Sequence, residues 1–229
     1  MKRHKIVILN SMMIEGMQAE WNQFVEKLLK CGNPHLEKHL TKPLVQHLIS
    51  MCVMRLIPHQ TGVRPENWEE NRPYLCMEHL ILENGAYFVG QKLPKGYKRG
   101  TPKYCYSNSC EALRKYGKKE LLYVEGFVQA IIPIQHAWNI DSSNQVIELT
   151  LKDNDMHPLN GMEYFGVVFT TEYKQAEDRR KISKAVAKGT RDYNPSSIDN
   201  WEDGFPLLFN RELVKEASIS PIQIPLQDS

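Results

Sequence analysis

Apolar residues recur at helical spacing across residues 17–57. In MQAEWNQFVEKLLK, the side chains of Trp21, Phe24 and Leu28 fall on one face of a helix, and CGNP ends the pattern. The segment PLVQHLISMCVMRLI predicts a second apolar helix that ends before a proline. The chain therefore begins with a predicted helical extension, and the polar, turn-rich residues 60–74 predict a loop after it.

The pattern shortens and alternates after residue 75. MEHLILENGAYFVGQKL predicts one or two short strands around a turn at Asn84 and Gly85. CYSNSCEALRKYG then returns to helical spacing, and Gly117 is a natural C-terminal stop for that helix. ELLYVEGFVQAIIPIQHAWNI is rich in β-branched and aromatic residues and predicts two strands parted near Pro133.

Two further strands are predicted from QVIELTL and EYFGVVFTTEYK. Residues 75–175 therefore predict an α+β fold in which a helix packs on an antiparallel sheet. DRRKISKAVAKG predicts a basic helix, and an extended tail follows it. We thus predict a helical N-terminal extension over 1–74, a core over 75–175, and a C-terminal helix with a tail over 176–229.

Composition adds broad limits to this picture. The 229 residues are 41% hydrophobic and 24% charged, which is typical of a soluble globular protein, and the net charge of +2 does not favour nucleic acid as a partner. The chain has no apolar stretch of about 18 residues, so no membrane span is expected. The apolar run near the start breaks at Asn10 and Ser11, and no small-residue cleavage site follows, so we expect a cytoplasmic protein.

The cysteines and histidines do not form a recognised metal or disulfide pattern. Five cysteines are an odd number, and none form a Cys-x-x-Cys pair. His35, His39 and His47 have no carboxylate or cysteine at ligand spacing. We therefore expect no metal and no cofactor.

One histidine and one acid are placed so that they can meet. Side chains alternate along a strand, so His136 and Trp138 share one face, and Val146 and Glu148 share a face of the next strand. A turn in DSSN would place His136 opposite Glu148, and a slip of one residue would separate them. The pair is compatible with a buried structural histidine or with the base and orienting acid of a catalytic site.

A catalytic site of that kind needs a nucleophile upstream. Cys105 and Cys110 lie at and just inside the predicted helix start, 31 and 26 residues before His136. A helix N-terminus and a nearby imidazolium lower the pKa of a thiol, and a carboxylate then orients the imidazole. We favour Cys105, because Cys110 is more than one turn inside the helix and faces elsewhere.

These pieces resemble the papain-like cysteine hydrolase superfamily, most closely its transglutaminase-like branch. The matching motifs are CYSNSCEALRKYG on the helix, YVEGFV on the next strand, HAW on the histidine strand and VIELT on the acid strand. Transglutaminase-like proteins commonly show a strand like YVEG, then His-Ala-Trp, then Asp-Pro-Thr. YFGVVF also resembles small bacterial and phage proteins with the HAW core. The resemblance covers residues 103–150 and that later strand.

The resemblance implies a papain-like core with His136 as general base and Glu148 as orienting acid. Glu148 departs from the usual aspartate, and Leu149 replaces the usual proline. Asp141, in the turn, is the alternative acid. The backbone N–H of Cys105 would serve the oxyanion hole.

A second oxyanion donor is also needed, and Gln91 and Asn108 are the candidates. The expected function is thiol-dependent acyl transfer, as a hydrolase or a transferase. The substrate would be a peptide or protein amide, such as a glutamine side chain or a cell-wall peptide. One alternative is a non-catalytic papain-like binding module that docks a host protein. A weaker one is nucleic-acid binding through KGYKRGTPK and DRRKISKAVAKG.

Overall fold

The computed structural model describes residues 18–56, 74–116, 121–153, 158–190 and 195–198. The helices in these residues are α1 (Gln18–Leu29), α2 (Pro34–His39), α3 (Pro43–Leu56), α4 (Met77–Asn84), α5 (Cys105–Lys115) and α6 (Thr171–Ala187). The strands are β1 (Ala86–Val89), β2 (Leu122–Gln129), β3 (Pro133–Ile140), β4 (Val146–Ile147) and β5 (Glu163–Phe169).

The strands form one antiparallel sheet in the order β1-β5-β2-β3-β4. Central strand β2 pairs along most of its length with both β3 and β5. The α+β fold class and the strands on either side of Pro133 are confirmed. Pro133 itself begins β3, a position where the missing N–H of proline costs little.

The sheet curls so that its two edge strands contribute to one apolar cluster. Phe88 of β1 packs edge-on against Trp138 of β3, with ring centroids 6.1 Å apart, and Val146 of β4 joins the same cluster. Two glycines opposite each other, Gly126 and Gly166, make room for this packing. A Cβ atom on Gly166 would lie 2.6 Å from Cη2 of Trp138, so only glycine fits there.

The other face of the sheet is covered by helices. Trp21 of α1 and Leu48 of α3 are buried in the same cluster as Phe165 and Phe169 of β5. The predicted boundary at residue 74 therefore separates residues that share one core. The predicted boundary at 175 lies inside α6.

Residues 77–84 correct one prediction, because they form helix α4 rather than a strand. Leu80, Ile81 and Leu82 are all buried, and a short continuous apolar run of this kind does not distinguish a strand from a buried helix. The helix ends at Gly85, and strand β1 starts at the next residue. The predicted Asn84–Gly85 turn is thus a helix-to-strand connection.

Other boundaries also shift. The predicted strand QVIELTL pairs only at Val146 and Ile147, and the predicted basic helix begins earlier, at Thr171. Helix α5 ends at Lys115. Gly117, residues 60–73 and the tail from 199 to 229 lie outside the described residues. Within the described residues, no helix is both long and apolar enough to cross a bilayer.

Candidate active site

Cys105 is the first residue of α5. Its residue surface is 9% exposed, whereas the preceding Tyr104 is 60% exposed, so the thiol lies just beneath the surface. The first four N–H groups of a helix have no intrahelical acceptor, so they are available to a negatively charged group at the helix start. The backbone N–H groups of Tyr106, in the first turn of α5, and of Ala137, on β3, both help to lower the pKa of the Cys105 thiol.

The N–H of Ala137 is available because β4 is short. Strand β4 pairs only with Asn139 and Ile140 of β3. The helix start therefore approaches β3 beyond the end of that ladder. Farther along the helix, Asn139 Nδ2 donates to the carbonyl oxygen of Ser109 at 3.2 Å, which fixes α5 against the strand.

His136 is buried beside the thiol, with 2% of its surface exposed. Its Nε2 atom lies 2.8 Å from Oε2 of Glu148, and its ring is stacked on Trp138 with centroids 6.3 Å apart. The imidazole and the Cys105 thiol are close enough for each to shift the other's pKa toward the charged form. Because Nε2 is engaged by Glu148, Nδ1 is the ring nitrogen left for proton exchange with the thiol.

Glu148 follows the last paired residue of β4. The ladder pairs Asn139 with Ile147, a register two residues away from the predicted one. A shift of two keeps every side chain on its expected face, so the predicted contact between His136 and Glu148 is present.

The Glu148 carboxylate is 1% exposed and fully hydrogen-bonded. Oε1 accepts the backbone N–H groups of Thr150 at 2.7 Å and Leu151 at 2.9 Å. Oε2 accepts the hydroxyl of Tyr164 at 3.2 Å in addition to the histidine. These donors fix the carboxylate in the orientation that holds His136.

The three groups shift one another's pKa values toward the charged forms. For Cys105, burial raises the pKa, but the hydrogen bond and positive charge of His136 outweigh it and hold it below its usual 9.0. For His136, burial lowers the pKa, but the Glu148 charge and the thiol bring it to about 9. For Glu148, burial raises the pKa, but His136 and the backbone donors hold it below 4.5. The arrangement thus favours a thiolate beside an imidazolium.

The two candidate oxyanion donors are engaged elsewhere. Asn108 accepts the N–H of Thr101 at 3.0 Å, and its Nδ2 donates at 2.8 Å to both the Thr101 carbonyl and Oγ1 of Thr150. Asn108 therefore ties the loop before Cys105 to the segment that carries Glu148. Gln91 donates to Gln145 at 3.0 Å in an exposed position.

Cys110, the alternative nucleophile, lies in a different environment. Its surroundings are Glu125, Lys174 and Asp178, and burial raises the pKa of its thiol to about 12. In the same cluster, the Glu125 carboxylate accepts Oγ of Ser196 at 2.7 Å, and it also accepts the N–H groups of residues 197 and 198. Cys110 therefore has no lowered pKa and no histidine beside it in the described residues.

Asp141, the alternative acid, caps its own turn. Its Oδ1 accepts the N–H groups of Ser143 and Gln145, both at 2.9 Å.

Tyr164 is the site residue that sequence reasoning missed. It lies on β5, 16 residues from Glu148, and nothing in its local pattern distinguishes it from an ordinary core tyrosine.

Among the described residues, no three histidine, cysteine, aspartate or glutamate side chains group as ligands for a metal ion. The site is therefore defined by one thiol beside one imidazole, which is hydrogen-bonded to one carboxylate. No protein-family model, no curated protein and no solved structure matches this chain, so any functional assignment depends on this geometry.

Proposed function

We propose that this protein is a cysteine-dependent acyl-transfer enzyme, with Cys105 as nucleophile, His136 as general base and acid, and Glu148 as the residue that orients the histidine. One observation supports this above all others. A thiol at a helix N-terminus lies close enough to a buried histidine for each to shift the other's pKa, and that histidine is held at 2.8 Å by a buried carboxylate. A histidine with a purely structural role needs only hydrogen-bond partners for its ring. A histidine that lowers the pKa of a neighbouring thiol is typical of a catalytic pair.

The chemistry follows from the positions of the protons. The Cys105 thiolate attacks the carbonyl carbon of an amide, and the carbonyl oxygen takes the electron pair and becomes an oxyanion. The N–H of Cys105, which has no intrahelical acceptor at the helix start, is a donor for that oxyanion. The imidazolium of His136 gives its proton to the leaving amine, and a thioester remains on Sγ.

His136 is then neutral and accepts a proton from water or from a second nucleophile that attacks the thioester. The acyl group leaves on that nucleophile, and the thiolate and imidazolium are restored. Glu148 holds one tautomer and one ring orientation throughout, since its Oε2 stays on Nε2. Hydrolysis and transfer differ only in the second nucleophile.

The same proposal includes a papain-like core of the transglutaminase-like type and a peptide or glutamine amide as substrate. Two features support it: the order of cysteine helix, histidine strand and acid segment, and the antiparallel sheet. Glu148 stands where that branch usually has aspartate. Glutamate reaches the imidazole here from beyond the end of β4.

Alkylation by iodoacetamide at pH 7 tests this proposal. We expect Cys105 to react at least roughly tenfold faster than a free model thiol, because its pKa is lowered. His136→Ala should remove that advantage. Cys110→Ser is the matched control and should react like the wild type, since Cys110 lies outside the site. Peptide mapping identifies the alkylated residue.

Two outcomes would contradict the proposal. One is labelling of Cys105 at the rate of the free thiol, which would favour a non-catalytic binding module on the same fold. The other is fast labelling that survives His136→Ala, because the histidine would then have no part in activating the sulfur.

A further inference from the structure

A strongly basic loop leads directly into the nucleophile. Residues 92–103, here called the cationic loop, contain five basic and no acidic residues. All five basic residues are exposed: Lys92, Lys95, Lys98, Arg99 and Lys103. Within the part of the chain that the structure describes, none of them forms an ion pair. Since the whole chain carries a net charge of only +2, this positive charge is a local feature.

The cationic loop is fixed against the site. The N–H of Gly100 donates to the carbonyl oxygen of Leu149 at 2.8 Å, and Arg99 Nη1 donates to the carbonyl oxygen of Leu151. Asn108 holds Thr101 from the helix side. The loop is therefore bonded to both residues that flank Thr150, next to Glu148, so its charges have a defined position beside the catalytic groups.

The described acids near the loop form no ion pairs with its basic residues, because each is bonded elsewhere. Glu148 is buried and paired with His136. Asp141 accepts two backbone N–H groups, and Asp153 accepts the N–H of Leu159 at 3.0 Å. A cluster of one sign beside a partly buried site raises the local concentration of oppositely charged ligands.

We propose that the cationic loop is a binding subsite for acidic polypeptide, so that the substrate amide is flanked by aspartate or glutamate residues. This inference depends on the proposed function, since it assigns a substrate class to the Cys105 site. The observations favour polypeptide over nucleic acid because the loop ends at a thiol and histidine arranged to attack an acyl carbon, which a peptide offers and a nucleic-acid backbone does not. Carboxylates beside that acyl carbon would meet the loop lysines.

Three peptidyl vinyl sulfones test this subsite. They share one sequence except at three positions, which are all aspartate in the first probe, all asparagine in the second and all lysine in the third. We expect the aspartate probe to label Cys105 roughly tenfold faster than the asparagine probe at low salt, and the lysine probe to be the slowest. The advantage should shrink in 1 M salt, where the Debye length is about 3 Å. The measured quantity is the second-order labelling rate.

Two triple variants separate the loop from general charge. Lys95→Gln, Lys98→Gln and Lys103→Gln together should reduce the aspartate rate to the asparagine rate. Arg179→Gln, Lys184→Gln and Lys188→Gln remove the same charge from exposed positions on and just after α6 and should leave the preference intact. Equal effects of the two triple variants would overturn the proposal.

The failure of this inference is distinct from the failure of the proposed function. Fast, His136-dependent alkylation by iodoacetamide, combined with equal aspartate and asparagine rates, overturns the subsite and leaves the enzyme proposal standing. If the thiol is inert, fluorescence anisotropy with an aspartate-rich peptide that lacks an electrophile tests the loop directly. Loss of binding in the loop variant supports the subsite. No binding by the wild type overturns it, as does tighter loop-dependent binding of a single-stranded oligonucleotide.

Discussion

His136 Nε2 and Glu148 Oε2 lie 2.8 Å apart although the ladder between their strands ends at Ile147, one residue before the acid. The Glu148 side chain makes this contact from the bend that follows β4. Its carboxylate is held by two backbone N–H groups and the hydroxyl of Tyr164. This arrangement makes the acid a fixed point against which the histidine is oriented.

Glu148→Gln should slow the alkylation of Cys105. The amide is neutral, so the pKa of His136 falls, and less imidazolium is present at pH 7 to stabilise the thiolate. We expect about a tenfold lower rate with iodoacetamide, corresponding to about one pKa unit. Asp141→Asn, which changes the other candidate acid, is the control and should leave the rate unchanged. An unchanged rate in Glu148→Gln would mean that the carboxylate does not act through His136.

The pH profile of alkylation should show the coupling between thiol and histidine. The pKa of Cys105 lies below 9.0 because of His136, so the wild-type rate should already be high at a pH where an ordinary thiol is protonated. In His136→Ala, the midpoint of the profile should move up toward 9.0 or above, since burial alone raises the pKa. Turnover that needs the imidazolium should fall as the pH rises through about 9. A profile that His136→Ala leaves unmoved would contradict the thiolate–imidazolium pair.

Acid should remove the stability that Glu148 contributes. Its folded-state pKa is below its usual 4.5, so this contribution is present above pH 4.5 and is lost as the pH falls through the folded-state value. Near pH 5 to 6, the free energy of unfolding should be about 2–3 kcal/mol lower in Glu148→Gln than in the wild type, because a buried pair has lost one partner. Urea unfolding at pH 6, 4 and 3 should show this difference shrinking. A difference that stays constant down to pH 3 would mean that the carboxyl has the same pKa in the folded and the unfolded protein.

The glycine pair at the centre of the sheet should tolerate no side chain. Gly126→Ala would place a Cβ atom against the backbone of Phe165 and Gly166, which cannot move without breaking the pairing of β2 with β5. We expect a loss of at least about 4 kcal/mol in the free energy of unfolding. Gly161→Ala is the control: its Cβ meets no atom within 4 Å, and its φ of +86° is strained at a cost of about 1 kcal/mol. Similar melting temperatures for the two variants would contradict the close approach of these strands.

The local pattern predicted the parts of the site that depend on single elements. The start of α5 at Cys105 and the face shared by His136 and Trp138 follow from helical spacing and strand alternation. The contact with Glu148 was predicted with a register two residues away from the observed one, and it is present because an even shift keeps the face.

Long-range contacts were beyond the local pattern. Helix α4 was predicted as strand because its apolar run is buried on all sides, which removes the periodicity. Tyr164 and the bonds of Asn108 to Thr101 and Thr150 depend on how distant segments meet. An asparagine close to a cysteine in the sequence can have either a catalytic or a structural role, and its residue type does not distinguish the two.

The buried carboxylate of Glu125 makes the stability of the sheet depend on residues that are synthesised much later. It is buried in the central strand, and its donors are the side chain of Ser196 and the backbone N–H groups of Ser197 and Ile198, 71 to 73 residues later. Until the ribosome has released those residues, the middle of the sheet contains a buried acid that interacts with Lys174 but lacks these three hydrogen bonds. We therefore expect the sheet to become stable only late in synthesis, and a chain that stops before residue 195 to be a substrate for chaperones and proteases.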